Sequence, residues 1–278
     1  MIAIVLALGA ALGWGTSDFI GGLKSRAVPL LSVLFVSQVT ALAILAVIVA
    51  VRGAGLPDAS ALAWAAAAGL AETAAVAALY RGLAVGTISI VAAVAATAPV
   101  VPLVVGFAIG EVPGPLQLTG LALAIVGLVV ASIQPSGAAA LKLLPSLGFG
   151  AIAAAGFGFY FSAMDTASAH DVGWALVTAR VVSVAAVGLV ILAVRHRIQL
   201  IRSDVAGLAS IGILIVVADA MYATATTLGL VGVVAVVGSL HTVVTMVLAR
   251  FVLHERLAAV QRIGIGTSLA GVLAISAG

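Results

Sequence analysis

Few side chains in this sequence can do chemistry, and two of them stand out by where they fall. Glu72 and Asp219 each lie near the middle of an apolar run long enough to cross a bilayer. A charge there costs nominally ~2.5–3.5 kcal/mol on insertion scales, so each carboxylate needs a partner or a task. The task it suits is holding an amino group or a proton. The structural alternative is a carboxyl that is protonated or hydrogen-bonded to a neighbouring helix. Asp219, Tyr222 and Thr226 share one helix face, and a carboxylate beside a phenol fits an organic cation or an amino acid. The same stripe would also serve to bond helix to helix. His241, in Ser239-Leu240-His241-Thr242, is an ionisable side chain that suits a role in coupling, or acts as a neutral donor. It aligns with Thr97, just before Pro99. Arg180 lies about ten residues into its run and reads as a helix staple before a carboxylate ligand, with Asp165 or Glu72 as internal partners. Asp18, close to Lys24 and Arg26, reads as a solvated helix-end charge, although it shares a face with Trp14. Tyr80, Phe157, Phe159 and Tyr160 lie in runs expected to line a cavity. Trp64 and Trp174 read as interfacial anchors. The candidate substrate-binding set is Trp14, Glu72, Tyr80, Thr97, Pro99, Tyr160, Asp219, Tyr222, Ser239 and His241.

The elements that must position these residues are membrane spans. Hydrophobic residues make up 64% of the chain and charged ones 8%, against about 25% charged in a soluble domain. Ten runs approach the ~20 residues that a bilayer requires: approximately 2–22, 30–51, 61–82, 87–109, 115–133, 147–168, 172–194, 205–228, 232–252 and 258–277. The first has no positive n-region and no clear cleavage site, so an uncleaved span is expected. Pro99 and Pro102 interrupt the fourth run, and the backbone groups they free must be re-satisfied or line a cavity. The chain has no cysteine, which removes disulfides and thiol chemistry. Gly-x-Ser-x-Gly, paired-histidine and Walker motifs are absent, so neither catalysis nor a cofactor or metal is expected. The few loop Lys and Arg behind the +3 net charge read as orientation signals, not as a nucleic-acid patch.

The halves repeat. Glu111, Gln117, Gly120 and Gly127 recur as Glu255, Gln261, Gly264 and Gly271. Gly13-Trp14-Gly15 is echoed by Gly156-Phe157-Gly158, and Arg52 by Arg195. Glu72 and Gly82 match Asp219 and Gly229 if the second half is about one turn shorter before its fourth span. The expected division is a five-helix repeat at 1–134, a linker at 135–146 and a second repeat at 147–278. An odd number of spans per repeat forces opposite insertion, giving an all-α integral membrane protein of two inverted halves. Lys24, Arg26, Arg81, Lys142, Arg195, Arg197, Arg202, Arg250, Arg256 and Arg262 fall to one side, Arg52 to the other. The positive-inside rule then puts both termini outside, which is the periplasm where the membrane is a bacterial inner one.

With Gly-Trp-Gly and Gly-Phe-Gly in spans 1 and 6, Glu111 and Glu255, and Gly-rich spans 5 and 10, the chain resembles the drug/metabolite transporter superfamily in its EamA-type ten-helix branch. Arg180 looks like the arginine this family often carries in span 7; the equivalent place in span 2 is Ser37-Gln38, a departure. The resemblance covers the whole chain and is closest to the aromatic amino-acid exporter group. It implies alternating-access export of small zwitterionic or cationic metabolites, amino acids first, by a monomer in the lipid bilayer. Spans 1, 3, 4, 6, 8 and 9 would wall a central cavity, with 5 and 10 in support. A proton-coupled exporter of drugs or quaternary cations is the alternative, and a membrane receptor or scaffold the reading from another class.

Overall fold

The structure, a computed structural model, describes residues 1–24, 27–85, 91, 94–133, 143–198, 202–253 and 258–278. They form α1 (Ile2–Lys24), α2 (Leu30–Arg52), α3 (Ala59–Val85), α4 (Val100–Ala108), α5 (Pro115–Ser132), α6 (Leu143–Ser168), α7 (Val172–Ala193), α8 (Arg202–Thr226), α9 (Val231–Gly238), α10 (His241–Val252) and α11 (Ala259–Ala277). Among the described residues, nine stretches are long and apolar enough to cross a membrane, α9 and α10 counting as one. Of the fourth expected span, residues 87–90, 92 and 93 lie outside the described residues; α4 is its far half. Glu255 and residues 134–142 lie outside them as well.

The ends of the helices are set by local chemistry. Gly53 closes α2 in the left-handed conformation (φ 60°), which costs glycine no Cβ clash. Pro115 opens α5 at a position where a missing N–H is harmless. Asp171 caps α7 by accepting the Trp174 N–H at 2.8 Å.

Packing follows a two-fold rule. Helix α1 lies on α8 as α6 lies on α3, and α1 meets α10 as α6 meets α4. Helix α2 touches α8 as α7 touches α3, while α2–α7, α4–α9 and α5–α11 pair across the axis. Small residues permit this closeness, as expected where lipid gives no hydrophobic drive to association. A Cβ on Gly13 would lie 2.9 Å from that of Ala218, and one on Gly156 2.8 Å from that of Ala75. Likewise a Cβ on Gly120 would lie 2.6 Å from the Gly271 carbonyl oxygen, and one on Gly264 2.7 Å from that of Gly127.

These contacts correct the register inferred for spans 3 and 8. Ala75 and Ala218 are as far apart in sequence as Gly13 and Gly156, so the second half is not shorter there. Glu72 therefore corresponds to Ile215, and Asp219 to Val76, one helical turn away. His241 corresponds to Ala98 rather than Thr97, because Gly15 packs on the His241 carbonyl as Gly158 packs on that of Ala98. The two carboxylates are not copies of one another.

Candidate functional site

Span 9 and span 4 both break near mid-depth, as their matched positions require. Helix α9 stops at Gly238 and α10 restarts at His241. The Leu240 N–H turns to the Val237 carbonyl (3.2 Å), and the Thr97 N–H to that of Val94 (3.0 Å), both i→i−3 closures typical of a tightened turn. Pro99 forces the break in span 4. In span 9 the Ser239 hydroxyl donates to the Ala235 carbonyl at 2.8 Å. The Thr97 hydroxyl likewise bonds its own helix, to the Val94 carbonyl at 2.6 Å.

Beside the breaks lies a buried polar cluster. Arg180 of α7 is 2% exposed and Asp219 of α8 1%. Two nitrogens of the guanidinium, Nη1 and Nη2, donate to Gln38 Oε1 of α2 and Asp219 Oδ2. Glu72 Oε1 of α3 lies 3.5 Å from Nη1. The other Asp219 oxygen accepts the Trp14 indole N–H of α1 at 2.8 Å. Four helices from both halves thus meet at one arginine, and α1 joins them through Asp219. Such a planar fork holds several acceptors at fixed angles, which a lysine does not. Aromatic rings close one side of Asp219. Trp14 and Tyr222 have centroids 5.3 Å apart, Phe161 and Tyr222 5.1 Å, and Tyr160 stacks on Tyr222 at 6.4 Å. The Tyr222 hydroxyl donates to the Phe161 carbonyl at 3.2 Å. On the other side His241 meets Trp14 edge-on (6.1 Å) and pairs Nδ1 with Asp18 Oδ2 at 3.0 Å. Here Asp18 is 47% exposed.

The structure thus brings together Trp14, Glu72, Tyr160, Asp219, Tyr222 and His241 of the expected set. Thr97, Pro99 and Ser239 stay at the breaks, the Thr97 and Ser239 hydroxyls spent on their own helices. The side chain of Tyr80 lies outside the described residues. Arg180 is a staple, as expected, but its carboxylate partners are Glu72 and Asp219, not Asp165. Sequence reasoning missed Gln38, Phe161 and the pairing of Asp18 with His241. Their signal was positional: Ser37, beside Gln38, is the repeat mate of Arg180, and Asp18 lies one turn after Trp14.

The two ends of the bundle differ. At one, Lys24 pairs with Asp204 (3.0 Å) and Ser32 Oγ meets His196 Nε2 (3.2 Å). At the other, Arg52 pairs with Asp171 (2.7 Å), and Trp174 Nε1 donates to the Ala54 carbonyl (3.2 Å). Glu111 Oε1 accepts the Val231 N–H at 2.7 Å there, capping α9. Asp171 lies outside the spans. The hydrogen bond from Arg52 holds its carboxyl below the usual range, against the opposing effect of burial.

Two opposed five-helix halves, helices broken at mid-depth and charge buried between them define a multi-pass helical protein of transporter architecture. The profile of the EamA-like transporter family matches residues 1–133 and again 144–277, and the chain belongs to that family. It is also similar to a solved structure described only as "Crystal structure of protein". The two share 16% identity with a TM-score of 0.81, over 98% of this chain and 95% of that one. That likeness concerns the fold alone. No curated protein matches the chain.

Proposed function

We propose that this protein is a secondary transporter that exports small zwitterionic or cationic metabolites, amino acids foremost, by alternating access. The observation that carries the reading is the Asp219–Arg180–Glu72 cluster, buried where the two halves meet and walled by Trp14, Tyr160 and Tyr222. A membrane scaffold gains nothing from such a costly assembly. Two carboxylates around one guanidinium favour a ligand with an amino group, and the neighbouring rings favour a flat or apolar body behind it. Arg180 is the one basic residue deep in the described spans, which argues against phosphate or nucleotide-sugar dianions. Thr97, Pro99 and Ser239 mark where spans 4 and 9 bend as the halves rock. With the basic end cytoplasmic, both termini face the periplasm.

Counterflow in proteoliposomes tests the reading. Vesicles loaded with unlabelled phenylalanine, lysine or tyramine should take up the same labelled compound faster than protein-free vesicles. Failure of all three to exchange, with the protein folded and inserted, would sink the transporter reading in favour of a scaffold.

A further inference from the structure

We infer that Glu72 is the exchange site of the buried cluster, binding one monovalent cation at a time, either a proton or the ammonium group of the substrate. The inference rests on the transporter reading and adds its driving force.

Charge counting comes first. One guanidinium between two carboxylates leaves one negative charge in excess, deep in the bilayer, and an unpaired buried charge is strongly destabilising. The groups facing Glu72 do not supply the missing positive charge. From α1 come Asp18 and the neutral Trp14, from α2 the amide of Gln38, from α6 the phenol of Tyr160, from α7 Arg180 and from α8 Asp219. His241 of α10 is held by Asp18. The balancing positive charge has to come from outside these side chains.

Geometry then separates the two acids. Both oxygens of Asp219 are engaged, one by the Trp14 indole and one by Arg180, and its side chain is 1% exposed. For Glu72, the guanidinium Nη1 that donates to Gln38 lies 3.5 Å from Oε1, a longer contact than either that Asp219 makes. Its Oε2 is buried without a hydrogen-bond partner among the described residues. The Glu72 side chain is 18% exposed, against 1% for Asp219, although Oε2 itself is buried. A lone buried oxygen of this kind is satisfied by a proton on itself or by an incoming N⁺–H, and the two exclude each other. Loading a monocation therefore releases a proton, one positive charge for one, and unloading takes it back. Asp219 is the positioning partner that holds Arg180 in place.

Infrared difference spectroscopy on the detergent-solubilised protein reads the proton directly. The wild type at neutral pH should show a protonated-carboxyl stretch that saturating tyramine removes. The band should vanish in Glu72→Gln and persist in Glu72→Asp, which keeps the acid if the amide variant folds poorly. No band in the wild type, a band that tyramine leaves in place, or one that survives in Glu72→Gln overturns the assignment. Proteoliposomes with an entrapped pH dye give the second readout. A tyramine gradient should drive protons the opposite way in the wild type. Net tyramine movement down its gradient with no opposing proton movement overturns the exchange site while the transporter reading stands. If no compound exchanges at all, the transporter reading fails instead, and the spectra still decide whether Glu72 carries the proton.

Discussion

Arg180 contacts Gln38, Glu72 and Asp219 at once, so its removal strands the Asp219 carboxylate away from water. Breaking a buried pair from one side costs about 3–5 kcal/mol. Arg180→Met should therefore lower the melting temperature in detergent sharply, and adding Asp219→Asn to it should recover part of the loss. A single variant as stable as the parent would show that the cluster is not structural. Much of this site was legible in the sequence, because an acid or histidine inside an apolar run is conspicuous: Glu72, Asp219 and His241 stood out on that ground alone. Gln38 did not, since a neutral amide carries no such penalty and looked like a lost arginine. Asp18 looked solvated for want of a visible partner, and His241, its partner, lies more than two hundred residues away.

Among the helices, the spans were legible because hydropathy over a bilayer length is a strong signal, and Pro99 announced one break. The break at Ser239 has no proline; it follows from the repeat. What the repeat misled about was register, because Glu72 and Asp219 share a chemistry but not a position, and biased composition makes a one-turn slip easy. Two expectations belong to this scale. Ser239 is 4% exposed and Asp18 lies open. In this cysteine-free chain, Asp18→Cys should react readily with a small hydrophilic thiol reagent and Ser239→Cys slowly, unless substrate shifts the halves. Equal rates would contradict the packing of α9. The cap of α7 makes the other. Asp171→Ala should cost about 1 kcal/mol. The folded carboxyl of Asp171 lies below its unfolded value of ~3.9, so its contribution is complete above that value and fades as pH falls through the folded one. The melting gap between parent and Asp171→Ala should stay constant from neutral to mildly acidic pH and close in stronger acid. A gap that widens in acid would refute the assignment.

At the scale of the whole molecule, inversion of the halves is what brings α1 and α8 of one side against α3 and α6 of the other around a single arginine. Ten basic side chains in the loops of one side against Arg52 on the other predict the orientation. A reporter active only in the periplasm should give signal when fused after Gly278, and a cytoplasm-only reporter working there would invert the assignment of ends. The account turns most on the claim that the Asp219–Arg180–Glu72 cluster handles the substrate, Glu72 directly and Asp219 by holding Arg180 in place. The direct measurement is counterflow by parent and Asp219→Asn protein, reconstituted in equal amounts after both elute as folded monodisperse species. Losing one side of a buried charge contact costs roughly 2–5 kcal/mol, and each 1.4 kcal/mol is about a tenfold change. The variant is predicted to exchange labelled substrate at least about twenty-five-fold less well at limiting concentration. Exchange by Asp219→Asn at the parent's rate would contradict the account.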